Sequence, residues 1–142
     1  MPTTIEIGQE LDTFYRGYVD AFNRKDLDQV LTCFAVPYGW VTGEGGLTPI
    51  MNESDHRSGL SRLMLELQQR DWARSAIDLT KTWALADNLA MTLADFTRYK
   101  ADGSVLEKAR ACYTARHDGK SWKIVAISEV KPPFLGPGNV AR

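Results

Sequence analysis

The chain has 142 residues, of which 44 % are hydrophobic and 25 % charged, with a net charge of −1. A single domain of this size buries roughly two thirds of its unfolded surface and needs no covalent staple. The even mixture of charges excludes the basic face of a nucleic-acid-binding protein, and no apolar run approaches the roughly 20 residues of a membrane helix.

The N-terminal MPTTIEIGQE lacks a basic stretch followed by an apolar core, so no secretory signal and a cytoplasmic location are expected. Cys33 and Cys112 belong to no CxxC pair and are expected to be free thiols in a reducing compartment. His56 and His117 stand far apart, without HxxxH or HxH spacing, so no metal is expected.

Residues 9–24 place Leu11, Phe14, Tyr15, Tyr18, Val19 and Phe22 on one face of a helix of period 3.6. Asp12, Arg16, Asp20 and Arg24 occupy the other side, spaced for pairing at i, i+4. Asp26 has the chemistry of an N-cap for a second, short helix with apolar positions Leu27, Val30, Leu31 and Phe34, ended by Pro37. Residues 38–42 alternate bulky side chains as a first strand, and Gly43, Gly45 and Gly46 predict a bend. These glycines lack the lysine and following helix of a phosphate loop. Residues 47–51 read as a short edge strand carrying Pro49.

Residues 52–58 are polar and precede a third helix, with the stripe Leu60, Leu63, Met64 and Leu67, expected to stop near Arg70. The period then changes to two. Strands are predicted over 75–85, 89–100, 105–117 and 122–130, separated by Asp87-Asn88, Asp102-Gly103 and Asp118-Gly119. The Asp-Gly pairs are strong hairpin signals, so consecutive strands are antiparallel neighbours. Helices first and a meander afterwards indicate an α+β fold in one domain.

Alternation assigns faces. Ala90, Thr92, Ala94, Phe96 and Arg98 share one side, as do Ala109, Ala111, Tyr113, Ala115 and His117 in the next strand. The alanines suit a concave surface approached closely by helices, unless the two sides are reversed. Leu89, Met91 and Leu93 then make the outer face apolar, which implies a homodimer through that face. Asp95 points outward on this assignment, towards an ion pair.

Three stretches resemble a known superfamily. YVDAFNRKDLDQVLTCFA (18–35) resembles the opening of nuclear-transport-factor-2-like proteins, especially the ketosteroid-isomerase and SnoaL-like branch. RSGLSRL (57–63) is similar to the start of that branch's third helix, and DGKSWKIVAIS (118–128) to its last hairpin. The likeness covers residues 9–130. It implies a cone-shaped curved antiparallel sheet of about four to six strands around three N-terminal helices, with a deep pocket inside. Residues 131–142 read as a loose Pro/Gly-rich arm.

Steroid isomerases of that branch use a tyrosine on the first helix, an aspartate base ending the first strand, and a second acid on a later strand. The resemblance places Tyr18 at the tyrosine, Thr42 at the base and Tyr113 near the second acid. Threonine cannot act as a carboxylate base, so the chain resembles a steroid isomerase without its base, unless a slip of a few residues brings Glu44 there.

Tyr15, Tyr18, Tyr38, Trp40, Phe96 and Tyr113 either line a cavity or form an ordinary aromatic core. Arg98 either clamps an anionic group at the mouth or snorkels to solvent. His117, beside a turn, reads as solvent-exposed or as a base lining the pocket. Asp55, His56 and Arg57 invite a catalytic reading, but helix capping by Ser54, Asp55 or Ser58 explains them better. The expected function is a pocket for a small hydrophobic molecule. It is either a cofactor-independent isomerase, cyclase or hydratase, with Tyr18 and Tyr113 polarising a carbonyl, or a non-catalytic binding or dimerisation module.

Overall fold

A computed structural model describes residues 2–135. The elements run α1 (Thr4–Asn23), α2 (Leu27–Thr32), β1 (Phe34–Thr42), β2 (Gly46–Ile50), α3 (Glu53–Gln69), β3 (Trp72–Ala86), β4 (Leu89–Lys100), β5 (Val105–His117) and β6 (Trp122–Val130). The strands form one curved, unclosed sheet in the order β2-β1-β6-β5-β4-β3, antiparallel except for the β1–β6 pair. The helices close its concave side. No helix among the described residues is long and apolar enough to cross a membrane.

Local chemistry explains the helix ends. α1 begins ahead of its apolar stripe because Thr3 and Glu6 form a capping box, the Thr3 hydroxyl accepting from the Glu6 N–H at 3.1 Å. Ile7 thereby joins the buried face. Asp26 caps α2 as expected, accepting from the Gln29 N–H at 3.2 Å. α2 nevertheless ends at Thr32, and Phe34 belongs to β1, not to the helix. The Ile124 N–H donates to the Cys33 carbonyl at 2.8 Å, and Phe34 pairs with Ile124, so the parallel ladder captures the chain there. Pro37 falls in the irregularity between Phe34 and Gly39, where the β1–β6 ladder is interrupted. α3 is capped by Asn52, which accepts from the Asp55 N–H at 2.8 Å; neither Ser54, Asp55 nor Ser58 is the cap.

The long hairpins follow the Asp-Gly signals, with Gly103 and Gly119 at φ 89° and 97°. The alanine face is the concave one: Ala90, Ala94, Ala109, Ala111 and Ala115 are all buried. Without longer side chains there, α1 can lie against β3, β4 and β5. Asp95 points outward and is held by Arg110 through two hydrogen bonds of 2.6 and 3.0 Å. The Arg110 guanidinium also lies 4.6 Å from the Phe134 ring and donates to the Leu135 carbonyl. Residues 131–135 therefore include contacts to the outer face instead of hanging loose; residues 136–142 of the expected arm lie outside the described residues.

Candidate functional site

α1, α3 and the concave face enclose a cavity of about 40 Å³, lined by Tyr18, Val19, Phe22, Trp40, Leu63, Leu67, Ser75, Phe96, Arg98, Ala111, Tyr113, Ile127 and Glu129. That is room for on the order of three waters. A drug-sized ligand occupies several hundred Å³, so a steroid does not fit the cavity as it stands.

Tyr18 from α1 and Tyr113 from β5 meet edge to face, with ring centroids 6.0 Å apart. Neither hydroxyl has a hydrogen-bond partner among the described residues. Burial pushes both phenols far above their ordinary range, and the Glu129 charge adds to it. They remain protonated at any physiological pH, so they can donate hydrogen bonds but cannot act as bases.

Beside them lies a charged cluster. Arg98 and Glu107 face each other across β4 and β5, and Arg98 Nη1 donates to Glu107 Oε2 at 2.8 Å. Arg98 Nη2 donates to Glu129 Oε1 at 2.9 Å. Arg70, just past α3, donates to both oxygens of Glu107, at 2.8 and 3.1 Å. Desolvation pushes the Glu107 carboxyl upward, but the Arg70 and Arg98 hydrogen bonds and charges outweigh it and hold it at about 2. The carboxylates in turn outweigh desolvation of Arg98 and raise its pKa. The second oxygen of Glu129 has no partner among the described residues. One oxygen is therefore fixed by Arg98, and the Glu129 side chain lines the cavity.

The structure brings Tyr18, Trp40, Phe96, Arg98 and Tyr113 around this space. Arg98 does not snorkel, since its side chain is only 12 % exposed and sits between two carboxylates. Three expected lining residues lie elsewhere. Tyr15 is fully buried behind Tyr113, stacked on it at 4.6 Å, and its hydroxyl lacks a partner. Tyr38 is turned away to a hydrogen bond with His56 at 3.0 Å. His117 is four residues from Tyr113, about 13 Å along the strand. There its Nδ1 accepts from the Gly119 N–H and its ring packs against Trp122. Thr42 and Glu44 are exposed at the β1–β2 turn, where the Thr42 hydroxyl accepts from the Gly45 N–H, so neither reaches the cavity.

Two polar residues escape the sequence reading. Glu129 is the first. Counted evenly from the His117–Trp122 pair that closes the last hairpin, it opposes Arg110 on the outer face. An irregularity between Thr114 and Ala115 shifts the register, so Glu129 pairs with Ala111 and faces inward. His56 is the second. Its neighbours Asp55 and Arg57 suggest solvent, yet it is 1 % exposed. Its helical spacing to Leu60 and Met64 is the available signal. Among the described residues no three metal-ligating side chains converge.

A family model described as "NTF2-like protein (DUF6841)" matches residues 9–132. No curated protein matches the sequence. Among solved structures, an NTF2-like protein with a cystatin-like fold from Novosphingobium aromaticivorans superposes with TM-score 0.72 at 8 % identity, over 93 % of this chain and 86 % of that one. A putative aromatic ring hydroxylase from the same organism gives 0.69 at 18 %, over 95 % of each chain. A ketosteroid isomerase-like protein from Erwinia carotovora atroseptica gives 0.64 at 14 %, over 89 % and 96 %. At these identities the likeness establishes a shared fold.

Proposed function

This chain belongs to that family of NTF2-like proteins, and from that premise we propose that its cavity is a cofactor-independent site for proton transfer on a small, largely apolar carbonyl compound. The supporting observation is the convergence of two unpaired phenols, Tyr18 and Tyr113, with the half-fixed carboxylate of Glu129 in one cavity. A carbonyl oxygen accepts from the phenols, which strengthen as negative charge develops on it. Glu129 removes a proton from the adjacent carbon; the C–H electron pair passes into the C–C bond and the carbonyl π pair to oxygen. In a β,γ-unsaturated ketone the resulting dienolate takes the proton back from Glu129 at the γ-carbon, the pair on oxygen re-forming the C=O as the double bond moves into conjugation, which completes an isomerisation without oxidant or metal. The carboxylate thus enters from β6, not from the end of β1 where Thr42 stands.

A small cyclic ketone needs less widening of this cavity than a steroid does, and its binding requires the lining side chains to give way. Exchange of the α-hydrogens of cyclohexenone in heavy water, followed by NMR, tests the reading. The protein accelerates exchange, and Tyr18→Phe with Tyr113→Phe slows it by about 100-fold or more. Binding without acceleration would leave a non-catalytic ligand-binding domain in place of an enzyme.

A specific observation also supports a homodimer. Leu79 and Trp83 are 55 % and 37 % exposed beside Met91 and Leu93 on the outer sheet face. Light scattering at micromolar concentration gives twice the chain mass on this reading, and Leu93→Glu returns it to one. A wild-type chain of single mass removes it.

A further inference from the structure

Trp40, Tyr38 and His56 form a hydrogen-bonded chain that begins at the cavity wall and ends in the interior. Trp40 Nε1 lies 3.4 Å from the Tyr38 hydroxyl, which lies 3.0 Å from His56 Nδ1. His56 Nε2 lies 3.1 Å from the Leu31 carbonyl oxygen. Three elements contribute: β1 the tryptophan and tyrosine, α3 the histidine, and α2 the carbonyl. Residues 38 and 40 share a face of β1, which sets the two rings side by side.

The partners fix the direction of each proton. A carbonyl only accepts and an indole N–H only donates. His56 Nε2 therefore carries hydrogen, and in the neutral ring Nδ1 is the acceptor that takes the Tyr38 hydrogen. The Tyr38 oxygen is then free to accept from Trp40. Tyr38 and His56 are 5 % and 1 % exposed, so water does not readily compete for the hydrogen bond between them. The single polar hydrogen of Trp40 is consumed by the chain, although the Trp40 side chain lines the cavity.

We propose that Tyr38 and His56 determine specificity by position. They hold the Trp40 N–H away from the ligand, so that this wall presents only apolar ring surface. The inference rests on the cavity being a small-molecule site and adds an orientation to it. A ligand's oxygen pairs with Tyr18, Tyr113 and Glu129, and whatever part of it meets Trp40 meets ring surface alone. A second polar group placed against Trp40 is disfavoured because the indole N–H is not left to pair with it.

The test uses the full chain labelled with 15N, in which the indole signals of Trp40, Trp72, Trp83 and Trp122 are separate reporters. Trp72 donates to Ser75 and Trp122 to Glu10, so those two signals report whether a variant keeps its fold. Tyr38→Phe moves the Trp40 signal and speeds its solvent exchange at least about tenfold, with the Trp72 and Trp122 signals in place. His56→Gln, which keeps one donor and one acceptor, restores more of the wild-type Trp40 signal than His56→Leu. Kd values for cyclohexanone and 1,4-cyclohexanedione give the second readout. The wild type prefers the monoketone, and Tyr38→Phe shifts the ratio towards the diketone by about tenfold. An unmoved Trp40 signal overturns the hydrogen-bonded chain while leaving the cavity reading intact. A moved signal with an unchanged ratio overturns the specificity role. If neither ketone binds the wild type, the cavity reading fails and the specificity role with it, whatever the indole signals show.

Discussion

The two ends of the concave surface solve the same packing problem with different chemistry. Towards the β5–β6 turn, Leu11, Tyr15, Ala115, Trp122 and Ile124 fill the space with buried side chains. Towards the β4–β5 turn, Arg98, Glu107 and Glu129 form a charged lattice beside a cavity, with Arg70 joining it from just past α3. The filled end derives its stability from apolar burial. The charged end leaves two phenols and one carboxylate oxygen unpaired around open space, whereas the unpaired Tyr15 hydroxyl of the filled end is sealed in packing. The difference teaches that stability and chemistry are separated along the strands, about four residues apart on β5 between Ala115 and Ala111.

Substitutions at each end should separate the two roles. Tyr15→Ala, at the filled end, leaves a void behind Tyr113 and costs about 3–5 kcal/mol, read as a lowered midpoint in chemical denaturation. Glu107→Ala, at the charged end, strands Arg70 and leaves Arg98 with Glu129 alone; it costs about 1–2 kcal/mol, because Arg70 is 44 % exposed and Arg98 keeps a partner. Acid acts on the same group. The Glu107 carboxyl is held at about 2, below its ordinary value of 4.5. Its contribution is fully present above pH 4.5 and is lost as pH falls towards 2; Glu107→Gln flattens that part of the stability profile. The smallest effect belongs to Tyr15→Phe. It removes a buried hydroxyl without a partner, so stability stays level or rises by about 1 kcal/mol. A loss comparable to Tyr15→Ala would contradict the assignment of that end as purely packed.

The elements governed by period were legible in the sequence. The α1 stripe, the three Asp-initiated turns and the strands over 89–100, 105–117 and 122–130 follow from hydrophobic spacing and turn chemistry. The alanine face identified the concave side for the same reason. What escaped depends on irregularity or on contacts distant in sequence. Phe34 looks helical until Ile124 pairs with it. Glu129 looks outward until the β5–β6 register shifts. His56 looks solvated until Tyr38 and the Leu31 carbonyl, 18 and 25 residues away, satisfy both ring nitrogens. Of the candidate site, the aromatic wall and Arg98 could be named from alternation, whereas the carboxylate could not, because one extra residue in a strand reverses every side chain beyond it.

The central claim is that Glu129 moves the proton at the charged end. Its most direct test is the rate of α-hydrogen exchange of cyclohexenone with Glu129→Gln, compared with the wild type at matched folding and bound fraction. The account predicts a loss of about 100-fold or more, with ketone binding retained through Tyr18 and Tyr113. A Glu129→Gln protein that exchanges at the wild-type rate would contradict it.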